Sequence, residues 1–293
     1  MSFREFTANI LSTRDYQGTH LEEKYIKDIT AYLAGINDSI GKEKGFSFIM
    51  LEKGDEVFKE LQGVGGYSGV MIKSPHYIGL TILKEDAEIE FIGAYYMQAI
   101  VKQLYEMDLG SCWVNIRNVS QGIKTKLLKD RAGSINYLLA FGIADDKAKH
   151  KASHITVTGG TSTYKQDPYG TKVLEPTDAD KARLSLGELV YLHEWGKAAT
   201  YEELENRGMA DIFYYVRNAP SYKNIQPCRL ILKDGDAELA ILNPENEENY
   251  IDAGIMMFTL EGLAKEIGIP CKWDFVKEES SNKEYGIAAN IEL

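Results

Sequence analysis

The stretch Arg217-Asn-Ala-Pro-Ser-Tyr-Lys-Asn-Ile-Gln-Pro-Cys-Arg229 joins two apolar runs, and its reading decides the rest of the chain. Ile212, Phe213, Tyr214 and Val216 give the preceding segment an apolar helical face, and Leu230-Ile231-Leu232 reads as a strand. Pro220 blocks helix continuation through Ala219, and Pro227 holds the chain extended before the strand. Ser221, Tyr222, Asn224 and Gln226 therefore stand close together on a constrained backbone. Hydroxyl and carboxamide groups so placed can read the polar edge of a flat heterocycle, or can bond their own backbone in an ordinary helix-to-strand connection.

The 293 residues suffice for a large core and for two domains. A chain that is 44% hydrophobic and 26% charged has the composition of a soluble globular protein. Its net charge of -11 argues against nucleic acid and against an anionic membrane surface as partners. Met1-Ser-Phe-Arg-Glu-Phe6 shows no basic region followed by an apolar core, and no stretch approaches the roughly 18 apolar residues of a membrane span. A cytoplasmic protein is expected. The widely spaced Cys112, Cys228 and Cys271 support neither a disulfide framework nor a metal site, and the five histidines form no ligand set.

The segment Ala219-Pro-Ser-Tyr-Lys-Asn-Ile-Gln-Pro227 resembles the Ala-Pro-Ser-x-x-Asn-x-Gln-Pro-Trp motif of the nitroreductase family of flavoproteins, with Cys228 in place of the Trp. In that family the loop belongs to one subunit of an intertwined homodimer and covers an FMN held mainly by the other. The remaining half of such a site is found upstream. Ser12-Thr-Arg14-Asp-Tyr16 resembles the end of the family's opening Arg-Arg-Ser-x-Arg-x-Tyr signature, which holds the FMN phosphate and ribityl chain; Ile10 and Leu11 stand where the first two arginines would be. Leu109-Gly-Ser-Cys-Trp-Val-Asn115 resembles the segment whose backbone passes flavin N5, which carries the expectation onto Trp113, Val114 and Asn115. The side chains of Cys112 and Trp113 are read as core. The glycines of 60–69 lack both the Gly-x-Gly-x-x-Gly pattern and a Lys-Ser/Thr ending, so they read as a flexible surface turn.

Between these motifs the chain reads as a helix over 21–33, strands over 46–51 and 74–83, a helix over 90–107 that is apolar nearly all round, and strands over 111–116 and 135–143. Lys147, Lys149 and Lys151 follow, either as a solvated linker start or as charges that offset Ile10 and Leu11. A second all-round apolar helix spans 250–267, and Ile92/Ile251, Ala94/Ala253 and Cys112/Cys271 share an offset of 159 (251 − 92). This predicts an internal duplication: half one at 1–155, a linker at 156–180 rich in Gly, Ser and Thr, and half two at 181–293.

The resemblance implies an α+β, nitroreductase-like fold whose halves form in cis the dimer the family makes in trans, a monomeric pseudodimer. One composite FMN site would combine Ser12, Arg14, Trp113, Val114 and Asn115 with Pro220, Ser221, Tyr222, Asn224 and Gln226. The reciprocal site has only Arg183-Leu-Ser185 and Ala34-Gly-Ile-Asn-Asp-Ser39 to draw on, so one FMN per chain is expected. The implied activity is electron transfer from NADH or NADPH through flavin N5 to a small-molecule acceptor such as a nitroaromatic or quinone, with no dedicated acid, base or nucleophile. The alternatives are a flavin-binding module without turnover and a specialised flavin reaction on the same scaffold.

Overall fold

The computed structural model describes residues 1–84, 86–129, 131–145, 183–276 and 284–293. The expected linker at 156–180 and the lysines Lys147, Lys149 and Lys151 lie outside these residues. The chain divides into two units, Ile10–Ser153 and a second made of Met1–Asn9 with His154–Leu293. Helix α1 (Phe3–Asn9) thus groups with the second unit, although the sequence reads it as part of half one.

The first unit runs α2 (Glu23–Ile36), a π-helical turn (Asn37–Gly41), α3 (Lys42–Lys44), β1 (Phe46–Leu51), α4 (Gly54–Leu61), β2 (His76–Ile82), α5 (Ala87–Glu106), β3 (Gly110–Asn115), α6 (Gln121–Leu128) and β4 (Ser134–Gly142). Its four strands form an antiparallel sheet in the order β1-β2-β4-β3. Every residue of β2 and β4 is buried, as continuous apolar strands covered on both faces must be. Helix α5 opens on Asp86, whose carboxylate accepts from the Glu88 N–H at 2.9 Å. Its Gly93 lets the helix approach β2 closely: a Cβ there would stand 2.7 Å from Leu80 Cδ1.

The second unit holds α1, α7 (Leu186–Leu189), β5 (Val190–Leu192), α8 (Tyr201–Asn206), α9 (Ala210–Val216), β6 (Cys228–Leu232), β7 (Asp236–Leu242), α10 (Glu248–Glu266), β8 (Lys272–Phe275) and β9 (Tyr285–Glu292). The sheet order is β5-β6-β7-β9-β8, with β5 parallel to β6 and the other pairs antiparallel. Helix α1 lies against α10. Phe3 packs on Phe6 and Phe258, and its N–H donates to Glu266 Oε1 at 2.5 Å. Gly262 makes room for the Phe3 ring, 2.1 Å from where its Cβ would be.

Apart from β5, the two units repeat one plan. The order β1-β2-β4-β3 matches β6-β7-β9-β8, and the long buried helix follows the second strand in each. Both sheets also carry a register shift at the same place, between Leu80/Thr81 and between Leu239/Ala240. These sites are 159 residues apart (239 − 80), the offset legible in the sequence.

Candidate functional site

Within the first unit, the two separated segments Ser12–Tyr16 and Gly110–Asn115 lie side by side. Ser12 bridges Ser111 in parallel, the Thr13 N–H donates to Ser111 O at 2.9 Å, and Tyr16 pairs with Ala144. Gly110 permits this approach, because a Cβ there would meet Thr13 Oγ1 at 2.5 Å. The Tyr16 hydroxyl sits 2.7 Å from Thr13 O and 3.0 Å from Ala140 O, which ties the segment to β4. Cys112 reports the chemistry of the spot. Burial pushes its thiol up, and the Arg14 charge and a hydrogen bond with the Ser12 side chain oppose that shift. Ser12 is exposed and Arg14 half-buried, so a guanidinium and a hydroxyl stand together at the edge of the unit, a donor set suited to an anion.

β3 is the edge strand of its sheet, so its backbone faces away from β4 on one side. Cys112 and Val114 are buried, as the core reading of Cys112 requires, whereas Trp113 is only half-buried, its indole N–H donating to Gln98 Oε1 at 3.3 Å. Asn115 turns its Oδ1 to its own chain, accepting from the Arg117 N–H at 2.8 Å. The glycines of 60–69 are more than a surface turn: Gly65 is buried and the Gly66 N–H donates to Asn115 O at 3.0 Å. The missed signal is conformational, since a Cβ on Gly66 would stand 2.3 Å from Val70 O.

Behind β3 the sequence reading missed a buried polar cluster. Glu90 of α5, 5% exposed, accepts from Arg117 Nη2 and from Asn136 Nδ2, the latter at 2.5 Å. Lys124 of α6, also buried, donates at 2.7 Å both to Asn136 Oδ1 and to Arg117 O. Asn136 is the residue skipped in the β2/β4 register, which frees its side chain to join the cluster.

In the second unit, α9 ends at Val216 and the chain turns through Ala219–Gln226 into β6. Lys223, Asn224 and Gln226 have φ of 50°, 54° and 52°, left-handed values that only Asn adopts at little cost. Internal bonds hold the turn. The Tyr222 N–H donates to both Asp252 oxygens, at 3.0 and 3.1 Å, and the Gln226 N–H to Ser221 Oγ at 3.0 Å. Arg183 Nη1 donates to Asn224 Oδ1 at 2.8 Å, and the Leu184 N–H to Gln226 Oε1 at 3.1 Å. Pro220, Ser221, Gln226, Arg217, Cys228 and Asp252 border a small cleft. Ser185 spends its hydroxyl on Glu188 at 2.7 Å. Burial pushes the Cys228 thiol well up, so it stays protonated at neutral pH.

Among the described residues no group of His, Cys, Asp and Glu is placed to hold a metal ion, and no helix is long and apolar enough to cross a membrane.

The whole chain is similar in fold to a crystal structure described as a putative nitroreductase from Thermotoga maritima. The match has a TM-score of 0.55 at 15% identity and covers 98% of this chain and 94% of that one. Weaker likenesses reach a nitroreductase family protein from Clostridium novyi NT, TM-score 0.42 at 21% identity, covering 51% of this chain and 88% of that one. A nitroreductase with bound FMN from Bacteroides fragilis gives a TM-score of 0.44 at 13% identity, covering 57% of this chain and 100% of that one. No curated protein matches. A family model described as "Putative TM nitroreductase" matches residues 8–179, which include Ser12, Arg14 and Trp113–Asn115 but stop short of the 219–227 loop. That match takes in more than half of the 293 residues: the chain belongs to this nitroreductase family.

Proposed function

We propose that the chain is an FMN-dependent oxidoreductase that takes electrons from NADH or NADPH and passes them to a small electron-poor acceptor such as a nitroaromatic or a quinone. The observation that carries this reading is the meeting of Ser12 and Arg14 with the start of β3, two segments about a hundred residues apart in sequence whose family counterparts hold the flavin phosphate and border flavin N5. Arg14 would bind the phosphate through its fork of donors, with Ser12 beside it. The edge backbone at Trp113–Asn115 would line the isoalloxazine rim, with Pro220–Gln226 as its cover and Tyr222 on the substrate face. FMN, when bound, supplies a hydride acceptor at N5 and a two-electron donor. The protein's share is orientation and exclusion of water; no acid, base or nucleophile is assigned. The protein would act as a cytoplasmic monomer, a pseudodimer made of its own two halves.

One FMN per chain follows from how each half uses its residues. In the first unit the counterpart of the loop is the helical stretch at 34–39, where Asn37 is committed to β1: its Nδ2 donates to Phe48 O at 2.9 Å and its Oδ1 accepts from the Phe48 N–H at 2.7 Å. In the second, Arg183 serves Asn224 and Ser185 serves Glu188.

A flavin-binding module without turnover is the second reading. It is favoured by Ile10 and Leu11 in place of two arginines, and by Asn224 and Gln226 already bonded within their own unit. Anaerobic titration of the FMN-loaded protein with NADH and with NADPH separates the two. Bleaching of the flavin absorbance at stoichiometric nicotinamide supports the oxidoreductase, and an unchanged oxidised spectrum supports the module.

A further inference from the structure

Asp252 is a carboxyl group where the fold does not require one. It lies on the inner face of α10, 5% exposed, and the Tyr222 N–H donates to both of its oxygens. Burying a carboxyl is unfavourable unless hydrogen bonds compensate, so its presence calls for a purpose. The repeat shows that the helix packs without it. The position 159 residues earlier (252 − 93) on the matching helix is Gly93, in the half that has no Ala-Pro-Ser-x-x-Asn loop. The acid and the loop therefore occur together, in one half only.

We propose that Asp252 is the positioning residue of the 219–227 loop, its carboxyl clamping the main chain at Tyr222 and so holding the left-handed turn of Lys223, Asn224 and Gln226. The turn needs such a clamp, because Lys223 and Gln226 sit in backbone conformations that their side chains disfavour. The functional consequence, an effect on flavin, rests on the proposed function; the anchoring itself does not.

The clamp also responds to pH. Burial raises the Asp252 carboxyl to about 8, helped by Glu248 on the same helix and opposed by the Tyr222 N–H. The other ionisable groups at this spot are Arg217 beyond the end of α9 and Cys228 of β6, both bordering the same cleft. The native state holds a proton that the unfolded chain, with its carboxyl near 3.8, gives up. Stability from this group therefore falls as pH rises from that value to about 8, and is level above it.

The test is hydrogen exchange of the full chain without flavin, read on peptides covering 219–227, for wild type, Asp252→Ala and Asp252→Asn. In Asp252→Ala the loop amides should lose protection by about tenfold or more, as loss of one buried hydrogen bond implies, while β7 and β9 are unchanged. Asp252→Asn keeps an acceptor and should keep the protection, and its stability should lack the wild type's decline between pH 6 and pH 8. Unchanged loop protection in Asp252→Ala overturns the proposal. Should that variant fail to fold, Asp252→Leu, which fills the space without an acceptor, is read in the same way, and unchanged loop protection in it overturns the proposal. FMN affinity measured on the same variants keeps the two readings apart. A loosened loop with unaltered FMN affinity leaves the clamp standing and removes the loop from the flavin site.

Discussion

Removing Glu90 should unfold the first unit selectively, and the size of the effect follows from its partners. The substitution Glu90→Ala leaves Arg117 without its carboxylate and Asn136 Nδ2 without its acceptor. Breaking a buried ion pair from one side costs ~3–5 kcal/mol. Arg117 keeps 24% of its side chain in water, which places the loss at the lower end, about 3 kcal/mol. With a urea m-value of about 2 kcal/mol/M, the midpoint should fall by about 1.5 M. Glu90→Gln keeps an acceptor for Asn136 and loses only the charge, so its shift should be about half as large. The chain has three tryptophans, of which Trp113 belongs to the first unit and Trp195 and Trp273 to the second. Trp195→Phe with Trp273→Phe therefore leaves a fluorophore that reports the first unit alone. A midpoint shift below about 0.3 M for Glu90→Ala in that background would refute the reasoning, since the cluster would then be exchanging protein contacts for water at no net loss.

Two further outcomes are expected. His76 accepts from the Leu21 N–H at Nε2, 3.0 Å away, and its Nδ1 faces Glu52 O at 2.9 Å, so the ring is neutral with the proton on Nδ1. Burial and His20 lower its pKa below 6.5, so this tie contributes fully above 6.5 and is lost as pH falls through the lowered value; His76→Ala should flatten that part of the stability curve, and parallel curves would count against it. Gly262→Ala places a methyl where the Phe3 ring lies, so α1 should detach at a cost of about 1–3 kcal/mol and trypsin should cut at Arg4 faster; unchanged cleavage would show that the arm accommodates the methyl.

The elements that carry long apolar runs were legible in the sequence. The strand expected over 46–51 is β1, the helix over 90–107 is α5 at Ala87–Glu106, and the helix over 250–267 is α10 at Glu248–Glu266. The offset of 159 read from the sequence reappears in the sheets, whose register shifts at Leu80/Thr81 and Leu239/Ala240 keep that spacing. Three features were not. Strand β7 alternates too briefly to stand out, and β9 mixes Ala with Asn290 and Gly286, so tertiary pairing rather than local propensity makes them strands. The grouping of α1 with the second unit depends on the fit of Phe3 over Gly262, a contact across some 260 residues that no local pattern announces. Likewise Glu90 looks like any helix-surface acid until Arg117, Lys124 and Asn136 are seen around it.

At the candidate site, the residue types were legible and their bonding was not. Ser12 and Arg14 lie beside the start of β3, whereas Asn224 and Gln226 are drawn inward by Arg183 and Leu184. The inward pull originates in residues about forty positions upstream, which the loop sequence does not contain.

The central claim is the proposed single FMN site that uses Ser12, Arg14 and the edge of β3. Its most direct measurement is the flavin released per chain from the reconstituted protein, with Arg14→Ala beside the wild type. The account predicts close to one FMN per wild-type chain and a large loss of FMN affinity in Arg14→Ala at unchanged thermal stability. Two FMN per chain, or full FMN retention by Arg14→Ala, would contradict it.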